Sequence, residues 1–201
     1  MSTSIKLFIE HIKLIHSEGY EIVDRIQKDY GQISISFDDG FRGVFENFYF
    51  FKNKNIPITI FLVTDYLGTK NYLQIREVKQ LLETGLVTIG SHTVSHSNLT
   101  EISHEKAKNE MSLSKDFLEK NLNITIESFC FPRGLHSDAL IEAAYIAGYK
   151  RVFNCIPGKA KRHDFVQNRY LAQHSSKFEL KSILKGGMDI FANHYLKLHK
   201  T

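Results

Sequence analysis

The chain has 201 residues, 42% apolar and 24% charged, with a formal charge of +4. That length suits one globular domain spanning 1–201 with a full-sized core. The positive balance is mild and no basic run is interleaved with aromatics, which excludes nucleic acid as an expected partner and leaves a weak attraction to anionic sugars or to a membrane surface bearing a lipid-linked substrate.

The first residues lack a basic leader, and Lys6, Glu10, His11 and Lys13 interrupt their apolar run. Ile5, Phe8, Ile9, Ile12 and Ile15 form one helical stripe that Gly19 is placed to stop. No segment is long and apolar enough to span a bilayer, so a cytoplasmic protein is expected. Cys130 and Cys155 lie in apolar runs and are expected to be buried free thiols.

Six runs read as strands: 33–37, 58–63, 86–90, 127–131, 151–155 and 166–171. After the first, Phe41, Val44, Phe45, Phe48 and Phe51 recur at helical spacing, so the SISFDDG stretch at 34–40 is a strand-to-helix turn rather than a hairpin. The aromatic cluster Phe45, Phe48, Tyr49, Phe50 and Phe51 offers a sugar-stacking surface, but at that spacing it reads as core. Further helical faces follow: Ile75, Val78, Leu81 and Leu82 before Gly85; Ala107, Met111, Leu118 and Leu122 after an N-cap at Ser103; Leu140, Ile141, Ala144 and Tyr145 closed by Gly148. A last pattern runs through Phe178, Ile183, Leu184, Met188 and Phe191.

Alternating strands and helices imply right-handed crossovers and a parallel sheet, either an open doubly wound sheet or a small barrel short of eight strands. No glycine-rich phosphate loop follows the first strand, which counts against nucleotide binding.

Three strand ends carry polar groups: FDDG at 37–40, SHTVSH at 91–96 and FPRG at 131–134. Chemistry in such folds sits at the carboxyl ends of strands. His92 and His96 are four apart, which on a helical turn puts both imidazoles on one face. With a carboxylate from another strand end they would make a two-histidine, one-carboxylate metal site with an open position for water.

These motifs resemble the polysaccharide deacetylases, the NodB-homology carbohydrate esterases. Phe37, Asp38, Asp39 and Gly40 match the family's first motif, and His92, Thr93 and His96 its second, with Asn98 to Thr100 continuing it. The resemblance runs from about Ile33 to Gly148. It implies a small, distorted (β/α) barrel with fewer than eight strands. It also implies a divalent metal, zinc foremost, with cobalt, manganese, nickel or iron as alternatives, held by Asp39, His92 and His96. Asp38 then serves as general base toward a water on that metal, a role within reach of a carboxylate because a divalent cation lowers the pKa of water to about 7.

Where the family's third motif carries Arg and Tyr, this chain has Cys130 and Arg133 in Cys-Phe-Pro-Arg-Gly. The backbone N–H that the family aims at the oxyanion falls on Arg133. The arginine that steadies the catalytic aspartate is absent, and the guanidinium of Arg133 or Arg169 is expected to replace it, unless Arg133 merely pairs with a surface carboxylate. A closing Leu-x-His, the family's general acid, has only weak counterparts at His174 and His199. The expected activity is removal of an N-acyl group, acetyl foremost, from an amino sugar or glycan precursor. The alternatives are an inactive carbohydrate-binding member of the family and an amidase on a non-sugar amide.

Overall fold

A computed structural model describes residues 3–192 and 194. In chain order the elements are α1 (Ile5–Ser17), β1 (Glu21–Ile22), β2 (Gln32–Ile33), β3 (Ser36–Phe37), α2 (Gly43–Glu46), α3 (Phe48–Lys54), β4 (Ile58–Leu62), α4 (Ile75–Leu82), β5 (Val87–Ser91), α5 (His104–Leu122), β6 (Ser128–Cys130), α6 (Asp138–Ile146), β7 (Arg151–Phe153), β8 (Val166–Gln167) and α7 (Lys177–Leu184).

Local chemistry sets the helix ends. Ser4, Ser103 and Ser137 each accept a backbone N–H at the start of α1, α5 and α6, and Ser176 with Glu179 makes a reciprocal capping box on α7. The expected helix through Phe41–Phe51 is in fact two short helices. It breaks at Asn47, whose φ of −106° leaves the helical region and whose amide caps Gly43.

Strands β3 to β8 form one parallel sheet in sequence order, the signature of successive right-handed crossovers. The sheet curls into a six-stranded, incomplete barrel, as the resemblance implied. The first predicted strand is split: β2 pairs with β1, a short strand the sequence reading missed, while β3 joins the main sheet. The last is cut to two residues, because beyond Gln167 the chain leaves the ladder and Arg169 turns across the lumen.

Period-two alternation sorts each strand's residues. On β4, Ile58, Ile60 and Leu62 join the core beneath the helices, together with Val87, Ile89, Phe129 and Val152 from neighbouring strands. The opposite set, Ser36, Thr59, Phe61, Thr88, Ser128, Phe153 and Gln167, lines a cavity of about 1260 Å³ between the barrel lumen and its open edge. Gly90 faces the same way. A β-carbon there would lie 2.5 Å from the Phe61 ring, so the glycine makes room for that aromatic floor. Among the described residues no helix is long and apolar enough to cross a membrane.

Candidate metal and catalytic site

The site gathers at the carboxyl ends of β3, β5 and β6, with Arg169 entering from beyond β8. After β3 the chain turns sharply: Asp39 has φ 70° and Gly40 φ 79°. Asp is among the few residues that tolerate this left-handed conformation. Gly40 is needed twice over, for its φ and because a β-carbon would lie 2.7 Å from Leu62 Cδ2. The turn separates two adjacent carboxylates, sending Asp38 and Asp39 to different partners.

Asp39 faces the histidines. Its Oδ1 lies 3.5 Å from His92 Nε2 and 3.4 Å from His96 Nε2. The His92–His96 segment is not the helical turn its spacing suggested, since Thr93 and His96 both have left-handed backbones, φ 73° and 62°. Hydrogen bonds hold that conformation. Thr93 Oγ1 accepts the His96 N–H at 2.9 Å, and the Thr93 and Val94 carbonyls accept the Thr64 and Asp65 N–H groups. From α5, Glu110 accepts the N–H groups of Val94 and Ser95 at 2.9 Å each and the Ser95 hydroxyl at 2.8 Å.

Glu110 was not singled out in the sequence; its signal is only a charged residue half-buried at the border of the face that carries Ala107, Met111 and Ser114. Glu110→Ala should leave three loop donors without their acceptor and loosen the histidine pair. The expected result is a 10–100-fold weaker zinc affinity in a chelator competition, as for other groups that orient metal ligands, with Glu110→Gln closer to the parent.

His92 is the buried anchor, 2% exposed. Its Nδ1 lies 2.7 Å from the Cys130 carbonyl oxygen, which can only accept, so Nδ1 carries a proton. Burial holds His92 below the ordinary imidazole range against the pull of Asp38, so the ring is neutral and Nε2 presents its lone pair to Asp39. Asp39, His92 and His96 therefore bring ligand atoms within 4.8 Å of one another. Two imidazole nitrogens and one carboxylate oxygen suit a divalent cation of zinc type, with coordination positions to spare. The carbonyl on Nδ1 is the outer partner such a ligand needs.

Asp38 turns the other way, into the lumen. Arg169 grips it with two parallel bonds, Nη1 to Oδ1 and Nη2 to Oδ2, both 2.8 Å. The guanidinium is itself held by the Asn154 carbonyl (Nε, 3.0 Å) and Ser36 Oγ (Nη1, 2.9 Å), and it lies over the Phe61 ring at 5.3 Å. Arg169 thus bridges the two unpaired edges of the barrel. Burial would push Asp38 up, but Arg169, then His92 and the Cys130 thiol, outweigh it and hold the carboxyl well below the usual carboxylate range.

Cys130 occupies the position where the family has its arginine. Its sulfur accepts from Arg169 Nη2 at 2.8 Å and lies 3.6 Å from Asp38 Oδ2. Burial raises the thiol pKa well above its ordinary value, so it is a neutral filler beside the ion pair. Cys155 is also buried and free.

Arg133 requires a correction. The pairing expected between its guanidinium and Asp38 is not formed: the side chain is exposed, and Arg169 and Cys130 already surround the carboxylate. Nor does Arg133 pair with a surface carboxylate among the described residues. Its backbone is left-handed, φ 59° and ψ 5°, in the turn after β6. The turn's own bonds run from the Gly134 N–H to Phe131 and from the Leu135 N–H to Pro132, leaving the Arg133 N–H outside them. His174 is exposed before α7 with φ 60°, and no contact among the described residues joins it to the histidine pair. His199 lies outside the described residues.

The polysaccharide deacetylase family model matches residues 25–152. The chain is 28% identical to the poly-beta-1,6-N-acetyl-D-glucosamine N-deacetylase of Staphylococcus aureus strain MRSA252 over 134 residues, covering 60% of this chain and 46% of that one. It spans about half the length of the curated relatives it matches. Among solved structures, IcaB from Ammonifex degensii superposes with a TM-score of 0.79 at 18% identity, covering 92% of this chain and 93% of that one. The Streptococcus pyogenes deacetylase PplD in complex with acetate gives 0.78 at 22% identity, covering 89% and 86%. At these identities the structural likeness speaks for the fold.

Proposed function

The chain belongs to the polysaccharide deacetylase family, and from that premise we propose that it hydrolyses an N-acyl group, acetyl foremost, from an amino sugar within a glycan, with a divalent cation held by Asp39, His92 and His96. The observation that carries the reading is the convergence of lone-pair atoms on one point beside a second, separately held carboxylate.

Asp38 stays ionised at neutral pH because Arg169 neutralises its charge, and it is the group assigned to take a proton from the attacking water. So acidic a carboxylate is a weak base, and a divalent cation held by Asp39, His92 and His96 would supply the missing driving force by acidifying water and polarising the acyl carbonyl. Arg169 fixes the carboxylate's orientation as well as its charge, leaving Asp39 free for its own role. The Arg133 N–H is the donor assigned to the oxyanion, and its side chain has no part in that task.

The test is release of acetate and free amine in equal amounts from N-acetylglucosamine oligomers, with acetanilide as the non-sugar amide. Turnover on the oligomers that vanishes with a chelator and returns with zinc or cobalt supports the reading. No turnover with any of zinc, cobalt, manganese, nickel or iron would overturn it.

A further inference from the structure

The barrel lumen has a second end. Phe61 and Phe153 meet at 5.1 Å beneath Arg169 and floor the candidate site. Below them, toward the amino ends of the strands, Thr59, Thr88 and Ser128 line the cavity with hydroxyls, and Thr88 is exposed, so the lumen opens to solvent there as well. Arg151, the first residue of β7, points the same way as Phe153 by period-two alternation and pairs in register with Ser128 on β6.

The Nε of Arg151 is buried and has no hydrogen-bond partner among the described residues. A buried guanidinium N–H without an acceptor is costly. Arg25, from the loop between β1 and β2, borders the same cavity. Burial first, and then the Arg25 charge, hold Arg151 below the ordinary guanidinium range. Of the carboxylates at this mouth, Glu127 is held by Lys150, Asp24 accepts the Arg25 backbone N–H at 2.8 Å, and Asp29 is exposed. None of them forms an ion pair with either arginine.

The loops around the pair are tied together. Lys159 lies over the Tyr30 ring at 5.1 Å, which joins the segment after β7 to the loop between β1 and β2. Gln167 Nε2 donates to the Lys161 carbonyl at 2.8 Å and anchors that segment to β8. Two guanidinium forks beside hydroxyl donors, in a concavity and short of an acceptor, match an oxyanion. Planar N–H pairs grip phosphate bidentately, and hydroxyls reach its remaining oxygens.

We propose that the amino mouth of the barrel binds the phosphate group of a small phosphorylated ligand between Arg151 and Arg25, with Ser128 and Thr88 as hydroxyl donors. This site lies at the opposite end of the lumen from the candidate metal centre and does not rest on the deacetylase reading. Calorimetric titration with inorganic phosphate and with glucose 6-phosphate tests it, on chelator-treated protein so that no metal competes for the anion, and at constant ionic strength. Both probes should bind saturably. Tighter binding of glucose 6-phosphate would support a ligand whose organic part enters the lumen, and equal affinities would support a site for the phosphate group alone.

Arg151→Met should weaken both probes at least about tenfold, the loss expected for a charge-assisted bidentate contact. Arg151→Lys should recover only part of it, because an ammonium lacks the fork. Arg25→Met, in an exposed loop, gives the same reading without touching a strand, and Lys106→Met on α5 is the remote control that should bind as the parent does. No saturable binding by the parent up to about 10 mM, or equal affinity in the parent, Arg151→Met and Arg25→Met, would overturn the site. So would a loss in Lys106→Met as large as that in Arg151→Met, since only the overall charge would then matter.

Discussion

Arg169→Met should lower the melting temperature by roughly 6–12 °C at pH 7, on the basis that breaking a largely buried ion pair costs about 3 kcal/mol. The side chain is 14% exposed and its partner Asp38 29%, so solvent screens the pair little. Methionine keeps most of the volume over Phe61 and Phe153 but leaves Asp38 with no guanidinium, and it abandons Ser36 and the Asn154 carbonyl as well. The pH dependence has a definite sign. In the parent, Asp38 lies below its unfolded value near 3.9, so its contribution to stability is complete above that value and is lost only as pH falls through the lower folded pKa. In the variant, burial is opposed only by His92 and the Cys130 thiol, so Asp38 rises well above its parent value and the folded form gains stability relative to the parent as it takes up a proton. The gap between the two proteins should therefore be widest at neutral pH and narrow on acidification toward pH 4. Thermal unfolding in a chelator, so that only the chain's own groups act, measures it. A gap independent of pH would mean that Arg169 contributes packing alone.

The two aspartates should fail differently. Asp38→Asn is expected to keep its zinc and lose 10²–10⁴-fold in kcat, the usual range for a general base. Asp39→Asn should lose the zinc, with affinity falling by more than about 100-fold, since an amide is a poor replacement for a charged oxygen ligand. Zinc content after dialysis and acetate release measured on the same samples separate the roles. Equal zinc loss in both variants would show that the pair acts as one chelate, against the geometry in which Asp38 is spoken for by Arg169.

The reasons for this legibility differ from residue to residue. The parallel sheet was readable because β4 and β5 are apolar runs separated by amphipathic helices, a period that tertiary context does not override. The FDDG turn was readable because it joins an apolar strand to a helical repeat. What the sequence concealed was long-range or conformational. The histidines' spacing fits a helix, and only the Glu110 anchor with the left-handed Thr93 and His96 shows that they meet without one. The choice between Arg133 and Arg169 depended on a contact across 131 positions of sequence. Arg169 follows the inward-facing Gln167 by two, which aims both at the lumen, whereas Arg133 sits in a turn with no such alternation. Phe41, which stacks on Tyr72, comes from the turn after β3, whereas Tyr66 and Tyr72 share the connection between β4 and α4, so no helical or strand period announces the group.

Whether Asp39, His92 and His96 hold one catalytic divalent cation is decided by titrating chelator-stripped protein with cobalt while following both its visible absorption and acetate release from N-acetylglucosamine oligomers. Both signals should rise together and saturate at about one equivalent, and neither should appear in His92→Ala. Acetate release at full rate before any cobalt is added, or undiminished in His92→Ala, would contradict a catalytic cation there.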